Sequence, residues 1–232
     1  MVRRNLALGL LFVCVAAAPP VWKFLHPSPP GAIVQDRVVY FSGEGMSSRW
    51  HVVTSRVQVG RQNGKEPAYQ WYLSIYRPAP GDFQLAYRSP GPSDHPGLLA
   101  TVTRARGAEL YFPMQTVTIA GAGELERREI QDAVVTVHEA AADCGSSTVT
   151  VFGFDAPNNR MVQKVKVTNY CDLSATVLPG NAPQRVQLRG PYYGKNAPLC
   201  CPSKPNATAI LVMRNGRWTV TPNYFTIART SI

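Results

Sequence analysis

Cys200-Cys201-Pro202, read with Cys144 and Cys171, constrains this chain more than any other feature. Four cysteines behind a charged and then apolar N-terminus imply covalent bracing made in an oxidising compartment. Such a set allows three pairings. A bond between the adjacent Cys200 and Cys201 closes a small, strained ring. Crossed pairing is therefore expected, with Cys144 and Cys171 each taking one member of the doublet. A vicinal bond, free thiols and metal-held thiols are the alternatives. A zinc site fails on spacing, because no C-x₂-C or H-x₃₋₅-H pair is present. No cofactor and no metal ligand set is assigned.

The N-terminus supports export. Arg3 and Arg4 precede an uncharged run over residues 6–18, which Pro19-Pro20 ends. As a helix that run reaches about 20 Å, short of the ~30 Å hydrocarbon layer. A charged start, a short apolar run and small residues near Ala17 form the secretory signal pattern. Residues 1–18 thus read as a signal peptide, with an uncleaved membrane anchor as the alternative. Residues 19–31, which include Pro27-Ser28-Pro29-Pro30-Gly31, read as a stiff Pro-rich spacer.

Beyond the spacer, runs rich in β-branched and aromatic residues alternate with Gly, Pro, Asn and Ser. Strands are expected at 33–41, 50–59, 69–77, 83–87, 98–103 and 116–119. The second half adds 133–139, 148–154, 161–168, 175–178, 185–188, 207–213 and 218–221. Val165-Lys166-Val167 and Val186-Gln187-Leu188 alternate as strands with one buried face do. Asn63-Gly64 and Asn215-Gly216 mark hairpins. Helical propensity rises only at 123–130, enough for a turn or two. The expectation is a mostly β protein of antiparallel sheets, a sandwich or a two-lobed body, braced by disulfides and preceded by the signal helix. An N-terminal β lobe spans 32–97, and a C-terminal β domain with the four cysteines spans 98–232.

The formal net charge is +10. In an exported chain with singly scattered arginines, this favours an anionic envelope component, or another envelope protein, over nucleic acid. The membrane is a partner only through an uncleaved N-terminal segment. No catalytic residues are assigned. His26, His51, His95 and His138 stand isolated in sequence, and no nucleophile elbow is present. Glu124, Glu126, Glu129 and Asp132 are close together, but Arg127 and Arg128 stand where a calcium loop needs its glycine. Trp71, Tyr192, Tyr193 and Trp218 are the candidate ligand surface, against the plainer reading that such aromatics pack a core.

Gly190-Pro191-Tyr192-Tyr193, then Ala197-Pro198-Leu199-Cys200-Cys201-Pro202-Ser203, then Gly216-Arg217-Trp218 carry a resemblance. With Asp132-Ala133-Val134-Val135 and Asp143-Cys144-Gly145 upstream, this region is similar to uncharacterised bacterial secreted proteins and lipoproteins. Their C-terminal block carries a D/A-P-L/M-C-C-P-S/T motif. The likeness covers about 100 residues, 132–224. Relatives often place an acidic, glycine-containing loop before D-A-V-V, and here Leu125-Glu126-Arg127-Arg128 replaces it. The resemblance implies export and a bacterial envelope setting, and no activity. The sequence reading is thus an exported (periplasmic or secreted), non-enzymatic envelope protein acting by surface binding. A secreted hydrolase and a glycan-binding module are the alternatives.

Overall fold

The computed structural model describes residues 21–42, 49–62, 66–89, 114–140, 145–194 and 202–228. The signal helix, the strand expected at 98–103, Asn63-Gly64, His95, Cys144, Cys200 and Cys201 lie outside them. No helix among the described residues is long and apolar enough to cross a membrane.

The chain builds three sheets in sequence. The first contains β1 (Leu25–His26), β2 (Ala32–Val39), β3 (Trp50–Gln62), β4 (Glu66–Ala79) and β5 (Asp82–Ser89), in the spatial order β1-β5-β4-β3-β2. The second is formed by β6 (Met114–Gly123), β7 (Asp132–Ala140), β8 (Ser146–Asp155) and β9 (Arg160–Tyr170), with β14 (Thr226–Ala228) on the far side of β9. The third runs β10 (Ser174–Val177), β11 (Val186–Tyr192), β12 (Lys204–Arg214) and β13 (Arg217–Thr221). All pairs are antiparallel except β1 with β5. The mostly β, antiparallel architecture is as expected, with this one short parallel pair added at an edge. The cause of that pair is the path of the chain, which reaches one edge at β1 and crosses the sheet to its other edge at β2.

The second sheet is the middle layer, and its sequence shows why. Ala133, Val134 and Val135 are consecutive and all fully buried. A strand covered on both faces reads as a continuous apolar run rather than an alternation. Ala133, Val135 and Phe152 pack with Val52, Trp71, Leu73 and Ile75 of the first sheet. Val134, Val149, Val151, Val165 and Val167 pack with Val186, Leu188, Ala209 and Leu211 of the third. The middle sheet therefore faces one interior shared with the first sheet and a second shared with the third.

Side chains and backbone tie the edges together. Gln35 of β2 accepts a hydrogen bond from the Ile119 amide of β6 at 2.7 Å. On the other side, the Gln184 amide donates to the Glu124 carbonyl at 2.8 Å, and the Gln184 side chain accepts from the Glu124 amide at 2.8 Å. The helical turns expected at 123–130 are absent. Leu125 is fully buried and Glu129 takes a left-handed φ of 65°, so the segment bends around an anchored side chain instead of winding. The β12–β13 hairpin forms as expected, with Asn215 and Gly216 both left-handed (φ 49° and 73°), the backbone a two-residue primed turn needs.

The described part of the 19–31 segment is tied down. Leu25 is fully buried with Val53 and Tyr76 on the outer face of the first sheet. The Tyr76 hydroxyl donates to the Pro27 carbonyl at 2.8 Å, and Arg88 donates to the Ser28 carbonyl at 3.2 Å.

Candidate functional site

A buried charge cluster lies where β7, β8 and β9 meet the 124–131 loop. Asp132 opens β7 and is 1% exposed, and neither carboxylate oxygen has a hydrogen-bond partner. The Lys164 ammonium stands 3.7 Å from Asp132 Oδ1 and is in direct contact with the Glu126 carboxylate. A register shift delivers this lysine. Val151 pairs with Val165 and Phe152 with Gln163, which leaves Lys164 as the extra residue of a β-bulge. Bulges re-aim a side chain without disturbing the strand on either side. Gly153 completes the arrangement, because a Cβ there would collide with the Lys164 stem and with Asp132 Oδ1. Glycine is what lets the lysine lie across the strand.

Burial pushes the Asp132 carboxyl from 3.8 up to about 7. The Lys164 ammonium pulls against that rise, and the Glu126 carboxylate adds to it. The arrangement therefore holds a proton that exchanges near neutrality, next to an ammonium.

Above the cluster is an open cleft of about 440 Å³. Lys164, Glu126 and Arg127 form its polar side, and Phe154, Pro157, Val162, Met213 and Trp218 form its apolar side. Asp155 stands at its rim, held below the ordinary carboxylate range by the Asn158 amide, which donates at 2.7 Å. The cleft thus presents hydrogen-bond donors and acceptors opposite an aromatic and thioether wall. The acids at 124–132 read in sequence as a poor cation loop, and here the Lys164 ammonium stands between Glu126 and Asp132. Lys164 itself was not singled out. An isolated glycine in the strand run Val151-Phe152-Gly153-Phe154 is the signal that points to it, since it marks a bulge or a close approach.

The aromatic residues expected as a ligand surface occupy separate places. Trp71 packs in the core between the first and middle sheets, with the Arg56 guanidinium 5.6 Å from its ring centroid. Tyr192 stacks at 4.8 Å on Tyr224, whose ring lies 4.9 Å from the Lys204 ammonium. Tyr193 meets Tyr170 edge-on at 5.8 Å, and its hydroxyl is 3.0 Å from Cys171 Sγ. Trp218 alone of the four lines the cleft.

Cys171 is 6% exposed. It takes a left-handed φ of 67°, and its amide donates to the Gly145 carbonyl at 3.0 Å. Gly145 is the neighbour of Cys144 in sequence. The segment holding Cys200 and Cys201 leaves at Gly194 and returns at Pro202, and the Gly194 amide donates to Ser203 Oγ at 3.0 Å. The flanks of all four cysteines therefore meet at one end of the molecule.

The described histidines, isolated in sequence, each meet a carboxylate. His51 pairs with Asp36 at 2.8 Å, His26 with Asp82 at 3.4 Å, and His138 with Asp172 at 3.3 Å. His138 also meets Ser147 at 2.8 Å, so serine, histidine and aspartate are together. Both partners, however, compete for the same nitrogen, Nδ1. A nucleophilic triad needs the serine on one ring nitrogen and the carboxylate on the other, and this geometry does not supply that relay. No protein-family model, no curated protein and no solved structure matches the chain.

Proposed function

We propose that this is an exported protein of the bacterial envelope that acts by surface contact rather than by catalysis. The supporting observation is the position of Cys171, set where the flanks of Cys144 and of the Cys200–Cys201 doublet meet. Disulfides persist in oxidising compartments, which agrees with the signal pattern over residues 1–18. The cationic excess of +10 suits an anionic envelope component as the partner. The cleft between Lys164 and Trp218 is the contact surface with the most varied chemistry, and crossed pairing of the four cysteines is part of the same reading.

Fractionation of bacteria expressing the full chain, with thiols alkylated at lysis, tests it. The expected outcome is oxidised protein held on the envelope at low ionic strength and released by salt, as screening weakens surface charge contacts. Reduced protein in the cytosol contradicts export. Envelope retention that is indifferent to salt contradicts surface contact as the mode of action.

A further inference from the structure

We propose that the space between the first and middle sheets is a binding site for a small apolar carboxylate, a single aromatic ring or short chain bearing one acid group. A cavity of about 170 Å³ opens there, walled by Trp71, Leu73, Tyr87, Val135 and Phe152. Ser89, Thr148, Thr150 and Gln163 line it as well, so its walls combine aromatic and aliphatic groups with hydrogen-bonding ones. A cavity of this size accepts roughly one benzene ring.

Lys166 decides the chemistry. Val135, Thr150 and Lys166 form one cross-strand row on the middle sheet, since Val135 pairs with Thr150 and Thr150 with Lys166. Val165 and Val167 point to the third sheet, so Lys166 projects the opposite way, into the cavity it lines. In a two-layer sandwich that direction leads to solvent, whereas here it leads to the first sheet. The ammonium has no ion-pair partner among the described residues. Glu139 also lines the cavity, but it lies four residues from Val135 along β7, about 13 Å away at strand spacing. An anion brought to the Lys166 ammonium gains a charge-assisted hydrogen bond, and the aromatic walls favour a ring behind that anion.

Phenylacetate is the probe, with benzyl alcohol as its uncharged counterpart, and calorimetry on the full oxidised chain is the readout. Saturable phenylacetate binding, tighter than that of benzyl alcohol, is expected. Lys166→Gln should weaken phenylacetate about tenfold or more, the worth of a charge-assisted hydrogen bond, and leave benzyl alcohol unchanged. Lys166→Arg should retain binding, and Val137→Phe, which fills the cavity from its wall, should abolish both ligands. If Lys166→Gln does not fold, Lys166→Arg and Val137→Phe decide. Failure of phenylacetate to bind, equal affinity for the alcohol, or binding that survives Val137→Phe overturns the proposal.

Discussion

Asp132 carries the sharpest consequence at the residue scale. Its carboxyl titrates near 7 in the folded protein and near 3.8 when exposed, and the displacement comes mainly from burial. Between those values the folded chain holds a proton that the unfolded chain has lost. Stability therefore falls as pH rises through that window, and the loss is complete above about 7. Moving the midpoint this far is worth roughly 4 kcal/mol as an upper figure. Asp132→Asn should remove the dependence. The variant should be more stable than the parent at alkaline pH by roughly 2–4 kcal/mol, with the gap closing as pH falls towards 3.8. Urea unfolding across that range measures it, and parallel pH profiles for the two proteins would rule out Asp132 as the source.

The scale of single elements shows how far the residue pattern could be read. Strands β3, β4, β7, β8, β9 and β12 follow their β-branched runs, and Asn215-Gly216 makes its hairpin. The alternation Val165-Lys166-Val167 marks a strand with one buried face, and it carries no sign that its other face is also covered. Ala133-Val134-Val135 held the missing information, because no strand with a wet face buries three residues in a row. β1 and β14 are two and three residues long, too short to leave any periodicity. Glu126, Arg127 and Arg128 favour helix intrinsically, yet the Leu125 anchor and the Gln184 hydrogen bonds hold them in a bend. The charge cluster was half legible for a related reason. Its acids are neighbours in sequence, while the lysine arrives only through a bulge.

β1 gives the prediction at this scale. Leu25 is fully buried against Val53 and Tyr76, although it belongs to a strand of two residues. Leu25→Ala should cost about 2–4 kcal/mol by lost burial and the cavity left behind. An exposed leucine would cost well under 1 kcal/mol. Denaturant midpoints distinguish these. A null effect would mean that the segment around Leu25 is not part of the folded body.

At the scale of the whole molecule, three sheets share two interiors, and one end gathers the flanks of Cys144, Cys171, Cys200 and Cys201. That end joins the approach to β8 at Gly145, the turn after β9 at Cys171, and Gly194 and Ser203, which flank the cysteine doublet. Bridges there would tie the middle sheet to the third, each adding roughly 2–4 kcal/mol by restricting the unfolded chain. The compartment, the bracing and the reading as a surface-contact protein all depend on those bonds. Non-reducing peptide mass spectrometry on protein recovered from the envelope tests them most directly. The account predicts Cys144 and Cys171 each linked to the peptide holding Cys200 and Cys201, with no thiol left to alkylate. Four freely alkylated cysteines would contradict it.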